Sequence, residues 1–163
     1  MKFLAFIITL LFSSSIYGQS IAKEGSAAEK EFQKEYNKNI KLTKIRGVYI
    51  PSTVDEALVR IEKLSPPSAM GRFQTAPEVD VCNKLHFGIG RWMIQNWNFY
   101  TGSRISHLLK TKGVLHPDDM AQFLLRSLHR KLNNNPLDEK SLVEELAKSR
   151  KKKASEALGL YQN

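Results

Sequence analysis

Between Glu78 and Trp97 the chain carries Val79, Cys82, Leu85, Phe87, Ile89, Trp92, Met93, Ile94 and Trp97. Wound at 3.6 residues per turn, these side chains cover nearly every side of a helix. Asp80, Lys84, Gly88, Arg91 and Gln95 fall on one stripe, and nearly everything else is apolar or aromatic. A helix that is apolar almost all round has to be covered almost all round. The expectation is an all-α fold: a compact bundle of four to five helices around a central apolar helix at about 78–97. Gly88 and Gly90 sit inside that helix. Each costs about 1 kcal/mol relative to alanine in a helix interior. Close approach of a neighbouring helix or a ligand is the expected compensation.

The flanking segments carry their own start and stop signals. Thr53 with Glu56 three residues later forms a capping-box pattern, and Val54, Ala57, Leu58, Ile61 and Leu64 follow at helical spacing. Ser65-Pro66-Pro67 stops that helix. Residues 65–76 then read as a connector with a short helical turn near Met70 to Phe73. Pro77 suits the start of the next helix, where a missing N–H costs nothing. A short helix follows Ser103 and stops at Gly113. Another starts at Pro117, with Asp118 and Asp119 complementing its dipole and Met120, Phe123, Leu124, Leu128 and Leu132 facing inward. Asn133 to Pro136 breaks the chain, and Asp138 opens a last helix to about Leu158. Its "KSRKKK" run reads as a solvated face. Lys41 to Ile50 alternates weakly, as one extended strand or a basic linker.

The first twenty residues carry a different signal. Lys2 precedes the apolar run Phe3 to Phe12, followed by Ser13-Ser14-Ser15 and small residues at Gly18 and Ser20. This is the pattern of a signal peptide cleaved after Gly18 or Ser20. The run is too short for a permanent anchor, which needs about 20 apolar residues. The division expected is a signal peptide at 1–20, a flexible charged arm at 21–46, a helical core at 47–135 and a C-terminal helix at 136–163. The mature chain is expected to be soluble, exported to the periplasm or beyond, with no transmembrane anchor. Its single cysteine, Cys82, cannot form an intramolecular disulfide. In an oxidising compartment it is expected to be a buried small hydrophobe.

The net charge is +9, made up of +1 in residues 1–18, +3 in 19–46, +4 in 47–135 and +1 in 136–163. Charge spread in this way attracts polyanions generally and selects none. A specific nucleic-acid partner is therefore not expected.

Residues 49–132 resemble a family of uncharacterised bacterial proteins, a domain of unknown function. The resemblance rests on "YIPSTVDEAL", "HFGIGRWMIQNW", "SRISHLL", "GVLHPDDM" and "LHRKLN", in that order. The family commonly shows an Arg-Asn pair before the second tryptophan, where this chain has Gln95-Asn96. The resemblance implies a small helical domain and no particular reaction.

Candidate chemistry is sparse. "GIGRWM" lacks a third glycine and follows no strand, so it is no dinucleotide fingerprint. His86, His107, His116 and His129 show no zinc spacing, and neither metal nor cofactor is expected. His86 is read as a core histidine bonded to Asn83, Asn96 or a backbone carbonyl, with general base catalysis as the sharper alternative. Trp92, Trp97 and Phe99 are read mainly as core, with "WNFYTGSR" as the exposed part. The binding residues expected are Arg91, Gln95, Asn98, Tyr100 and Arg104, with His116, Asp118 and Asp119 nearby. Arg104 and Asp118 could also form a structural ion pair. The leading reading is a non-enzymatic module that binds a protein or cell-envelope component through the Arg91/Arg104 side. The alternative is a small hydrolase or metal-dependent enzyme using His86 or His116 with Asp118 or Asp119.

Overall fold

The computed structural model describes residues 26–159, and the expected signal peptide at 1–20 lies outside them. The chain runs α1 (Ala27–Asn39), a hairpin of β1 (Lys44–Ile45) and β2 (Val48–Tyr49), α2 (Val54–Leu64), α3 (Pro67–Thr75) and α4 (Glu78–Leu85). A π-helical turn (His86–Gly90), α5 (Arg91–Asn96), α6 (Arg104–Thr111), α7 (Pro117–Leu132) and α8 (Glu139–Ala157) follow. The fold is all-α, as expected, apart from that small hairpin.

The helix at its centre is α7, not the one at 78–97. Pro117 opens α7, Asp118 and Asp119 occupy its first turn, and His129, Arg130 and Lys131 occupy its last. Met120, Ala121, Phe123, Leu124, Leu125, Ser127, Leu128 and His129 are all buried. It packs against α2, α3, α4, the π turn, α5, α6 and α8. The 78–97 segment is apolar all round but not covered all round: Val79 is 55% and Phe87 73% exposed. Residue type shows what a face could bury, not whether a neighbour arrives to bury it.

Several local signals are realised as read. Thr53 Oγ1 accepts from the Glu56 amide at 3.1 Å. The Glu56 carboxylate reaches one residue further back than a standard capping box, to the Ser52 amide at 2.7 Å. It also accepts from the Tyr49 hydroxyl. Ser103 and Ser106 form a reciprocal capping box at the start of α6, and Gly113 ends that region at φ +94°. The Pro-rich connector is more regular than expected. Pro66 and Pro67 end α2 and then start α3, because proline is favourable at a first helical turn.

The segment at 41–50 is a hairpin, not a single strand. Lys44 pairs with Tyr49 and Ile45 with Val48. Arg46 and Gly47 both take positive φ, 49° and 80°, as a tight primed turn requires. The Arg46 guanidinium then donates to the Gln95 carbonyl at 2.7 Å and the Asn98 side-chain oxygen at 3.3 Å. The hairpin is thereby tied to the end of α5.

Ahead of the hairpin, α1 docks through its last turn. The Tyr36 ring lies over Gly102, where a Cβ would come within 2.4 Å of Tyr36 Cδ2. Its hydroxyl is 3.0 Å from His107 Nδ1, and the Asn39 side chain donates to the Thr101 carbonyl at 3.3 Å. Gly102 also has φ +95°, so any side chain there is strained as well as crowded. Gly102→Ala should cost roughly 1–3 kcal/mol in urea unfolding and should raise amide exchange selectively in α1. Unchanged stability would show that α1 does not depend on this contact.

A candidate binding cleft between the π turn and the last helix

An ionic frame holds three helices together beside the π turn. Glu78, at the start of α4, accepts from Arg126 Nε at 2.5 Å and Arg130 Nε at 3.2 Å, both on α7. Arg126 Nη2 also donates to Glu145 of α8 at 2.7 Å. Burial pushes the Glu78 carboxyl up, but the hydrogen bonds from Arg126 and Arg130 outweigh it and hold it below its ordinary value. The Glu145 carboxyl is lowered chiefly by its hydrogen bond with Arg126. Nearby, His129 Nε2 lies 2.9 Å from the Ala76 carbonyl. Further along α7, Arg150 of α8 grips Asp119 with two hydrogen bonds, of 2.6 and 2.7 Å. The "KSRKKK" run is therefore not wholly a solvated face. Arg150 is a fixed member of the helix packing.

Between these anchors lies a cleft of about 780 Å³. One wall is α4, the π turn and α5, contributing Val79, Asn83, His86, Phe87 and Arg91. The floor is α7, which supplies Asp118, Asp119, Gln122 and Arg126. The opposite wall is α8, from Glu145 to Ala154. His86 Nε2 is 3.1 Å from Asp118 Oδ1, and its ring meets that of Phe87 edge-on at 5.5 Å. The Arg91 guanidinium lies 6.0 Å from the centre of the Phe87 ring. A π turn admits one extra residue into a helix and is often found at functional sites.

The two glycines of this turn behave differently. A Cβ on Gly90 would sit 3.3 Å from His86 Nδ1, whereas one on Gly88 would meet nothing within 4 Å. The crowding at Gly90 thus comes from a side chain of its own segment, not from a neighbouring helix, and Gly88 is in open space.

The expected site residues divide into separate groups. Arg91, Asp118 and Asp119 line the cleft. Gln95 and Asn98 meet Arg46 instead, and Asn98, at φ +56°, bonds its amide to Thr101 Oγ1 and the Gly102 carbonyl at 2.7 and 2.9 Å. Tyr100 is 64% exposed on the loop after α5. Trp97 and Phe99 are core. Arg104 does not share a face with Arg91 in this cleft. It donates to the Ile50 carbonyl and lies 5.4 Å from the Tyr49 ring centre, which makes it an internal tie. The suggested Arg104–Asp118 pair is not formed, since Asp118 faces His86. His116 is exposed at the N-cap of α7, without a side-chain cap bond.

Sequence reasoning passed over Phe87, Arg126, Glu145 and Lys153. The available signal was the periodicity of Leu142 and Leu146, which places one face of α8 on α7 and sets Glu145 and Lys153 beside it.

His86 does not use Asn83, Asn96 or a carbonyl as partner: Asn96 donates to the Trp92 carbonyl at 2.9 Å. Its Nδ1 is buried without a hydrogen-bond partner. A carboxylate–histidine relay needs one ring nitrogen for the acid and the other for the reacting proton. Here Nε2 faces Asp118 and Nδ1 is closed in against Gly90. Cys82 is fully buried, and burial followed by the nearby Glu78 charge pushes its thiol up to about 12, far from a reactive thiolate. Among the described residues, no three or more His, Cys, Asp or Glu side chains cluster to hold a metal. No helix among them is long and apolar enough to cross a membrane.

Glu78 and Glu145 have lowered folded values, so their contribution is complete above the ordinary glutamate value of 4.5 and is lost as pH falls through the lower folded ones. Stability should therefore fall on acidification below that value. Glu78→Gln should cost about 3 kcal/mol at neutral pH, because it leaves two guanidiniums of α7 short of their charge. It should also flatten the acid limb of a urea-unfolding pH series. An unchanged acid limb in this variant would remove Glu78 from the frame.

No curated protein and no solved structure matches the chain. A family model described as a domain of unknown function, DUF6794, matches residues 50–132, about half of the chain. That span runs from the end of the hairpin through α7, which takes in the ionic contacts of Glu78 with α7 and one wall and the floor of the cleft but not α8. The chain is a member of this family, DUF6794.

Proposed function

We propose that the protein is an exported, non-enzymatic interaction module that holds a segment of a protein partner, soluble or in the cell envelope, in the cleft between the π turn and α8. The observation that carries this reading is Phe87. It is 73% exposed at the cleft edge, with Val79, 55% exposed, on the same wall and Arg91 beside its ring. Single exposed apolar residues are ordinary. A large aromatic and an arginine together at the rim of a concave surface are the residue types that dominate binding energy at protein interfaces. The rigid elements beneath them are already fixed by Glu78 and Arg126, so little ordering cost falls on binding. Export rests on the pattern in residues 2–20, with its basic start, short apolar run and small residues before position 21.

A photo-crosslinking amino acid placed at position 87 of the protein in its source cells tests both parts. Discrete protein adducts are expected from position 87. None is expected from position 64, where Leu64 is exposed and apolar but lies outside the cleft. The adduct should begin at residue 19 or 21. Equal adducts from both positions would overturn the assignment of the cleft, and an adduct retaining Met1 would overturn export by cleavage.

A further inference from the structure

The charges lining the cleft are not equally available. Asp119 is taken by Arg150 at 2.6 and 2.7 Å, Glu145 by Arg126 at 2.7 Å, and Asp118 faces His86 at 3.1 Å. Arg126 is taken again by Glu78 at 2.5 Å. Two cations of the lining are left over, Arg91 on α5 and Lys153 on α8. No carboxylate among the described residues pairs with either of them. They stand on opposite walls, and the exposed apolar groups Val79 and Phe87 lie on the same wall as Arg91.

Resting on the binding reading above, we infer that the segment this cleft takes is acidic as well as apolar: a stretch of polypeptide with a large apolar side chain on Phe87 and Val79 and carboxylates meeting Arg91 and Lys153. An apolar segment without acids would cover Arg91 and Lys153 and leave them desolvated without a counter-charge, which is costly. A basic segment would find every lining carboxylate already engaged and would meet two unneutralised cations of its own sign. An acidic segment supplies the missing counter-charge. Removal from water strengthens each new pair beyond the small value of an exposed salt bridge.

The test is fluorescence anisotropy on the purified protein with four labelled probes at physiological salt. One is a short peptide of aspartates and glutamates around a phenylalanine and a leucine. The second has lysines in place of the acids, the third has serines in place of the two apolar residues, and the fourth is oligothymidine. The first peptide is expected to bind, and each other probe to bind at least about tenfold more weakly, the equivalent of about 1.4 kcal/mol. Combining Arg91→Glu with Lys153→Glu should weaken the first peptide at least about tenfold. Lys131→Glu, on an exposed residue outside the cleft, should change it less than about twofold because distant charge is screened.

The inference is overturned if the lysine peptide or oligothymidine binds as tightly, or if Lys131→Glu matches the cleft variants. It is equally overturned if the acidic peptide fails to bind at about 1 mM, the weakest range of specific association. Failure here with position-87 adducts intact removes only the acidic chemistry. Loss of those adducts removes the binding reading itself.

Discussion

One carboxylate sets the geometry on which the cleft depends. Glu78 meets Arg126 and Arg130 of α7 at 2.5 and 3.2 Å. This carboxylate is only partly exposed, and two guanidiniums one helical turn apart answer its charge from a single direction. That fixes the first turn of α4 on α7. The rest of the segment follows from the covalent chain: eight residues of α-helix and then the π turn that carries His86 and Phe87. Arg126 also binds Glu145, so the same guanidinium sets the distance from α4 to α8. The cleft is the space these contacts leave, with the paired ions at its base and Phe87 at its rim.

Around this frame the stability is uneven. The apolar interior lies along α7, with Phe123, Leu124 and Leu128 fully buried and Phe73, Met93, Trp97 and Leu109 closing over it. The two ends of the described chain are held more lightly. In α1 the one buried residue is Asn39, and the helix is attached through the Tyr36 ring on Gly102 and the bonds of Tyr36 and Asn39 to His107 and Thr101. In α8, Leu142 and Leu146 are buried, Val143 packs partly buried against the core, and the other attachments include ion pairs such as Lys112 to Glu139 at 2.5 Å. Both helices lie outside the span shared with the family. Local opening starts where few apolar contacts hold an element, so α8 is both a wall of the cleft and one of its less firmly held parts.

Much of the architecture was legible in the sequence because it follows from short-range chemistry. Thr53, Ser103, Pro117 and Asp138 each mark a helix start that the structure contains. What was not legible depends on partners distant in sequence. The hairpin at 44–49 is only two residues per strand, too short for a period to show, and its turn is recognisable only from the positive φ of Arg46 and Gly47. The π turn leaves no pattern distinct from an α-helix. The centrality of α7 over the 78–97 segment depends on which faces other helices reach. Of the site, Arg91, Asp118 and Asp119 were found from local composition. Arg104 was misplaced because its tie to Ile50 joins residues 54 apart in sequence, and Phe87 was assigned to the interior because it is apolar.

The central claim is that Phe87 is held out at the rim of the cleft and is not part of the core. The direct measurement is the unfolding free energy of Phe87→Ala by urea titration. A side chain 73% exposed, with an edge-on contact to the His86 ring and a long one to Arg91, should be worth no more than about 0.5 kcal/mol to folding. A loss of about 3–5 kcal/mol, the usual cost of deleting a buried phenylalanine, would place Phe87 in the core and contradict the account.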